Sequence, residues 1–119
     1  MKTLYLHVGP HKTGTTFIQK FMLDNAAELF RSNLVYPKRF LRIFGHHNFR
    51  DALAGRAIVK EDLDFFKGAE QNFLLSSEDF ISLTAEHFSY LRDAFPDTRF
   101  VVVYAWRRAG FRLFSIWQE

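Results

Sequence analysis

The sequence predicts an α/β protein with a parallel β-sheet flanked by helices, because strand-like and helix-like segments alternate along it. Three segments, residues 3–8, 72–76 and 99–104, are short and rich in β-branched or aromatic residues. The last of these is almost wholly apolar, as is typical of a strand buried on both faces. Ligands of parallel sheets bind beyond the carboxyl ends of the strands, so the residues that follow each strand are the first candidates for function.

The helices are predicted from apolar residues that recur at spacings of three and four. One apolar stripe begins after Thr15 and predicts a first helix that extends to Phe30. Shorter helices are expected near residues 48–54 and 60–70, and Thr84 is expected to cap another. A last helix is predicted to begin near Gly110 and to continue to the end of the sequence.

Length and composition narrow the class of protein. The 119 residues are expected to form one domain, residues 1–119, and their 48% hydrophobic content argues against disorder. With no cysteine, disulfides and thiolate ligands are excluded. No stretch approaches the roughly 20 apolar residues of a membrane span, and no dense basic run suggests a nucleic-acid partner. We therefore expect a cytoplasmic protein; its aromatic surplus (18%) would leave surface for a partner or an oligomer.

The segment between the first predicted strand and the first predicted helix, Gly9–Thr16, reads GPHKTGTT. A helix N-terminus offers unpaired backbone N–H groups and the positive end of the helix dipole. Gly14 allows the backbone to approach an anion, Lys12 adds a cation, and Thr15 and Thr16 add hydroxyl donors. The pattern favours a phosphate-binding loop; the alternative is a βα turn with threonine capping and no ligand.

In this loop the lysine precedes the second glycine, whereas in the Walker pattern it follows that glycine. The order resembles the 5′-phosphosulfate-binding loop of the sulfotransferases that use 3′-phosphoadenosine 5′-phosphosulfate (PAPS). The resemblance implies that PAPS is bound by Lys12, Thr13, Gly14, Thr15 and Thr16. It also implies that Lys12 is catalytic, stabilising charge on the bridging oxygen of the leaving nucleotide without a metal.

A second candidate anchor lies at the end of the most apolar segment, where residues 101–107 read VVVYAWR. A guanidinium is a planar, permanent cation suited to phosphate, and a hydroxyl nearby adds a donor. In the sulfotransferases an arginine at a strand end and a serine on the following helix bind the 3′-phosphate, which implies this role for Arg107 and Ser115. Arg108 competes for the role, and Ala109 replaces a proline frequent in the family. The alternative is a solvated basic turn.

The resemblance spans residues 4 to about 118 and implies a P-loop NTPase-like sulfotransferase fold. Sulfotransferases usually extend further, so we expect the domain to be incomplete at its C-terminus. The implied activity is transfer of a sulfuryl group from PAPS to a hydroxyl or amine, with a carbohydrate or a small alcohol as the expected acceptor.

Such a transfer needs a general base for the acceptor's proton. Glu78 follows the strand predicted at 72–76, where relatives place a catalytic residue, and Asp79 is adjacent. His46 and His47 are the other candidates, because histidine titrates near neutrality. The sequence leaves this choice open and favours Glu78. No residues have the spacing of metal ligands, so no metal is expected.

Two other functions remain open from the sequence. A nucleotide-dependent kinase would share the phosphate loop, but the Gly-Lys-Ser/Thr order and a Walker-B aspartate are not evident. A non-catalytic or truncated nucleotide-binding module would bind the nucleotide without transferring sulfate.

Overall fold

A computed structural model describes the backbone of residues 2–8, 15–107 and 114–118, and the side chains of residues 2–8 and 18–103. Strands and helices alternate along most of this chain. The strands are β1 (Lys2–Val8), β2 (Leu34–Val35), β3 (Asn72–Ser76), β4 (Thr98–Arg107) and β5 (Phe114–Gln118). The helices are α1 (Thr15–Asp24), α2 (Ala26–Arg31), α3 (His47–Ala54), α4 (Lys60–Gly68) and α5 (Ala85–Ala94), with a 3₁₀ turn at Glu78–Ser82.

The strands form one sheet in the order β2-β3-β1-β4-β5. The first four of these are parallel, and β5 pairs antiparallel with β4. In the centre of the sheet, His7 is aligned with Ser76 on one side and with Val103 on the other. The α/β class and the parallel sheet predicted from the alternating segments are confirmed.

The C-terminal segment differs from its prediction. A helix was expected from Gly110 onward, but residues 114–118 form strand β5, in which Trp117 is aligned with Tyr104. Strand β4 would otherwise be an edge strand with unpaired backbone groups, and an antiparallel return satisfies them. Phe114, Ile116 and Trp117 are also residues that strands favour, so tertiary pairing and local preference agree here.

The helix predicted from Thr15 to Phe30 is observed as two helices. It begins at Thr15 as expected, but α1 ends at Asp24 and α2 follows after Asn25. Asn25 has non-helical backbone angles (φ −106°, ψ 21°), and its side chain donates a hydrogen bond to the carbonyl of Phe21 at 2.8 Å beside that from its own N–H. Phe21 and Phe30, both in the apolar stripe, are more than half exposed. The stripe therefore lies only partly on the sheet.

The main core occupies one face of the sheet. Side chains alternate along a strand, and Leu4, Leu6 and Val8 of β1 point to the same face as Phe73 and Leu75 of β3. Helices α3, α4 and α5 cover this face. Their buried residues in the core are Phe49, Leu53, Phe66 and Leu91, joined by Phe80 and Phe95.

Phenylalanine rings make up much of this core. The ring of Phe66 in α4 lies 4.8 Å from that of Phe73 in β3 and 5.6 Å from that of Phe95, both near edge-to-face. Such pairs contribute about 0.5–1.5 kcal/mol beyond the burial of their area. The unusual phenylalanine content is thus used in part to join the helices to the sheet.

No helix in the described part of the chain is both long and apolar enough to cross a membrane.

Candidate functional site

The carboxyl ends of three neighbouring strands meet at one edge of the sheet. Strands β3, β1 and β4 are adjacent and parallel, with Ser76 aligned with His7 and Val8 aligned with Tyr104. Neighbouring strands lie roughly 4.8 Å apart. The ends of β3 and β1, after which residues 77–79 and the segment beginning at Gly9 follow in the sequence, therefore lie at the same edge as Arg107, the last residue of β4.

The lysine-containing segment joins the end of β1 to the start of α1. Lys12, Thr13 and Gly14 lie outside the described residues, and so do the side chains of Thr15 and Thr16. The backbone of Thr15 begins α1, as the sequence predicts. The segment consequently connects a strand end to a helix N-terminus, where unpaired N–H groups favour an anion.

The second anchor is only partly as expected. Arg107 ends β4, at the carboxyl edge, but Ser115 lies on strand β5 and not on a helix. Ser115 is aligned with Trp106, and Arg107 is aligned with Phe114, so the two backbones are close neighbours. The Arg107 and Ser115 side chains lie outside the described part, as do Arg108 and Ala109 entirely.

His46 has a structural environment. Its side chain is fully buried, its Nδ1 accepts a hydrogen bond from the Ser76 N–H at 3.0 Å, and its Nε2 donates to the Pro37 carbonyl at 2.7 Å. Burial, with a smaller contribution from the neighbouring His47, lowers the pKa of His46 to about 4, against the opposing effect of the hydrogen bond to Pro37. A neutral ring with both nitrogens occupied cannot take up an acceptor's proton, which argues against His46 as the base.

His47 lies in a different group of polar residues at the same edge. Its Nδ1 is 2.7 Å from the Ser77 hydroxyl and 3.7 Å from a carboxylate oxygen of Asp79. Ser77 is itself fixed: its N–H donates to the His7 carbonyl at 3.1 Å, and its hydroxyl accepts from the Asp79 N–H at the same distance. This group holds an imidazole directly beside the end of β1.

Glu78, the base that the sequence favours, begins the 3₁₀ turn immediately after β3 and is half-buried. Its position at a carboxyl strand end is as predicted. No hydrogen bond or ion pair of its carboxylate is observed with the part of the chain that the structure describes. Both Glu78 and His47 are thus present at this edge, and the geometry leaves both as candidates.

A buried polar network that the sequence did not reveal lies just inside this edge. The Ser76 hydroxyl is 2.7 Å from Nδ1 of His7 and accepts a hydrogen bond from the Gln19 amide at 3.1 Å. All three side chains are more than nine-tenths buried, and burial lowers the pKa of His7. Gln19 reads in the sequence as one polar residue of an amphipathic helix, so only its packing reveals its role.

Among the residues whose placement is described, no group of three or more His, Asp or Glu side chains is arranged to hold a metal ion.

No protein-family model matches this chain, and comparisons with curated proteins and with solved structures likewise find no match.

Proposed function

We propose that this protein is a PAPS-dependent sulfotransferase of the P-loop type, which transfers a sulfuryl group to an acceptor hydroxyl or amine. The observation that carries the proposal is the adjacency of β1 and β4, which are parallel and in register through Val8 and Tyr104. The motif that follows β1 and the arginine that ends β4 thereby belong to one edge of one sheet. A nucleotide with phosphates at both ends could be held between two such anchors.

In this proposal the residues divide into two binding groups. Lys12, Thr13, Gly14, Thr15 and Thr16 bind the 5′-phosphosulfate at the N-terminus of α1, where backbone N–H groups are unpaired. Arg107 and Ser115 bind the 3′-phosphate in this proposal; they lie on the paired strands β4 and β5, with Ser115 aligned with Trp106, one position from Arg107. PAPS supplies the sulfuryl group; the protein supplies positioning and positive charge.

In the transfer step, the acceptor oxygen forms a bond to sulfur while the bond from sulfur to the bridging phosphate oxygen breaks. Lys12 stabilises the negative charge that develops on that bridging oxygen. The acceptor's proton passes to a base, for which Glu78 and His47 are the candidates at this edge. His47 has the better-defined surroundings, since Ser77 and Asp79 contact its Nδ1.

The direct test is a calorimetric titration of the chain with 3′-phosphoadenosine 5′-phosphate (PAP), ATP and adenosine 5′-phosphosulfate. We expect PAP to bind most tightly, because it alone combines adenosine with a 3′-phosphate. Lys12→Ala should weaken PAP binding by roughly tenfold or more, since charge-assisted hydrogen bonds are worth about 1.5–3 kcal/mol. Lys20→Ala, which removes an exposed lysine of α1, should change affinity less than twofold.

Arg107 has its own matched control on the same strand. Arg107→Ala should weaken PAP binding as Lys12→Ala does, whereas Arg99→Ala, at the opposite end of β4, should not. Equal effects of the two arginine variants would contradict the second anchor. Tighter binding of ATP with Mg²⁺ than of PAP would instead favour a kinase, and PAP binding without sulfate transfer to any acceptor would favour a non-catalytic module.

A further inference from the structure

A cavity lies on the face of the sheet opposite the main core. Its volume is about 350 Å³, within the range of small-molecule sites. The strands contribute its floor and α1 contributes one wall, with lining side chains that include Tyr5, His7, Leu74, Ser76, Ile18 and Met22. Within the described residues no Asp, Glu, Lys or Arg side chain lines it. Its occupant should therefore be uncharged and largely apolar.

His7 brings a hydrogen-bonding group into this apolar surrounding. It lines the cavity and is only 7% exposed, and its Nδ1 is engaged by the Ser76 hydroxyl at 2.7 Å. Its Nε2 has no hydrogen-bond partner within the described part of the chain. A buried polar atom without a partner is destabilising, so a ligand that hydrogen bonds Nε2 would be stabilising.

The chemistry of Nε2 selects one kind of ligand group. In a neutral imidazole this atom carries either a lone pair or a proton, depending on the tautomer. A hydroxyl can donate to the first and accept from the second, so it suits both tautomers. The lining also includes Ser32, Asn33 and Asn72, but most of its area is apolar and the Asn72 side chain already accepts a hydrogen bond from the Thr3 N–H. A sugar would bring several hydroxyls into this cavity, and each one left unpaired would oppose binding.

We infer that this cavity binds an uncharged, largely apolar alcohol or phenol, whose hydroxyl hydrogen bonds Nε2 of His7. We further infer that a compound of this class, and not a carbohydrate, is the acceptor, with His7 in place of Glu78 or His47 as the group that receives its proton; this second step rests on the proposed function. The place of His7 in the chain supports this acceptor assignment, since His7 lies two residues before Gly9, where the lysine-containing segment begins.

Binding is tested on the complete chain without nucleotide, by fluorescence titration with 2-naphthol and naphthalene and by calorimetry with methyl β-glucoside. We expect 2-naphthol to bind about two- to tenfold more tightly than naphthalene, which is the effect of one net hydrogen bond. The glucoside should not bind. Equal affinities for the two aromatic compounds, or tighter binding of the glucoside, would overturn the inference.

Two adjacent positions of α1 locate the ligand. Met22 lines the cavity, whereas Phe21 is 53% exposed and lies outside its lining. Met22→Trp should fill the cavity and weaken 2-naphthol binding at least tenfold, while Phe21→Trp should change it less than twofold. His7→Phe should remove the preference for 2-naphthol over naphthalene. If Met22→Trp and Phe21→Trp behave alike, the ligand is elsewhere and the inference is wrong.

The cavity inference and the proposed function can be tested independently of each other. PAP binding without 2-naphthol binding overturns the cavity inference and leaves the nucleotide site standing. Binding of 2-naphthol without PAP binding supports the cavity and contradicts the sulfotransferase proposal. With PAPS present, formation of 2-naphthyl sulfate supports the acceptor class, and sulfation of methyl β-glucoside alone contradicts it.

Discussion

Two adjacent histidines illustrate how strongly the role of a residue depends on its immediate surroundings. His46 and His47 are equivalent in the sequence, and both are candidates for a base. In the structure His46 is fully buried and joins the backbone at Ser76 to that at Pro37. His47 instead lies beside the Ser77 hydroxyl, with 12% of its side chain exposed. His46 thus contributes to the fold, whereas His47 stays a candidate base of the proposed function.

The buried histidines predict that the protein loses stability in mild acid. Burial lowers the folded-state pKa of His46 to about 4 and also lowers that of His7, below the usual value of about 6.5. Between these values the unfolded chain binds protons that the folded chain does not. The stabilising effect is therefore complete above about pH 6.5 and is lost as the pH falls toward 4.

For His46 alone this loss amounts to about 3 kcal/mol. Urea denaturation at pH 7.5, 6.0 and 5.0 measures the effect, and His46→Gln should reduce its pH dependence while lowering stability at pH 7.5. An unfolding free energy that stays constant or rises from pH 7.5 to 5.0 would contradict the conclusion that His46 is buried in its neutral form.

At the scale of elements, the loop before α3 packs closely against helix α1 at one residue, Gly45. Gly45 lies against the side chain of Gln19, and a Cβ at position 45 would be 2.8 Å from Nε2 of Gln19. Gln19 is almost fully buried and donates to Ser76, so it has little freedom to move. The absence of a side chain at Gly45 thus lets α1, the loop and β3 meet.

Gly45→Ala should therefore destabilise the protein, by about 1–3 kcal/mol, as overpacking in a core usually does. Gly68→Ala is the matched control, because a Cβ there would meet nothing within 4 Å and the residue ends α4. That control should be neutral or stabilise by up to about 1 kcal/mol. Chemical denaturation compares the two variants; similar effects would show that the contact with Gln19 is unimportant.

At the scale of the whole molecule, β1 is the central strand and pairs along its length with β3 and β4. It contributes to the core on one face and to the His7 network on the other. By contrast, α2 has no buried residue. Stability is therefore expected to be distributed unevenly, with β1 at the most stable end.

Amide hydrogen exchange measures this distribution. The amides of Leu4 and Leu6 in β1 should exchange among the slowest of the chain, and those of α2 should be the fastest of the described helices. Destabilising variants such as Gly45→Ala should accelerate exchange in β1 through global unfolding. Protection of α2 equal to that of β1 would contradict this picture.

The α/β class, the three long strands β1, β3 and β4 and most of the helix positions could be predicted from local sequence patterns. Period-two and period-3.6 patterns are local, and they mark segments such as 72–76 and 99–104 wherever these lie in space. The sequence also indicated the two candidate phosphate anchors, because their residue types carry charge and donors irrespective of packing. The proposed nucleotide remains an interpretation of those motifs and of the sheet edge that they share.

The pairing partners of the strands and the roles of single polar residues became evident only from contacts in the folded chain. Residues 114–118 became a strand because β4 offered an unpaired edge, and the predicted helix through Phe30 divided at Asn25. Hydrogen bonds between residues far apart in the chain distinguished His46 from His47 and revealed the network of His7, Ser76 and Gln19. Such contacts depend on which segments meet in space, and no local pattern records that information.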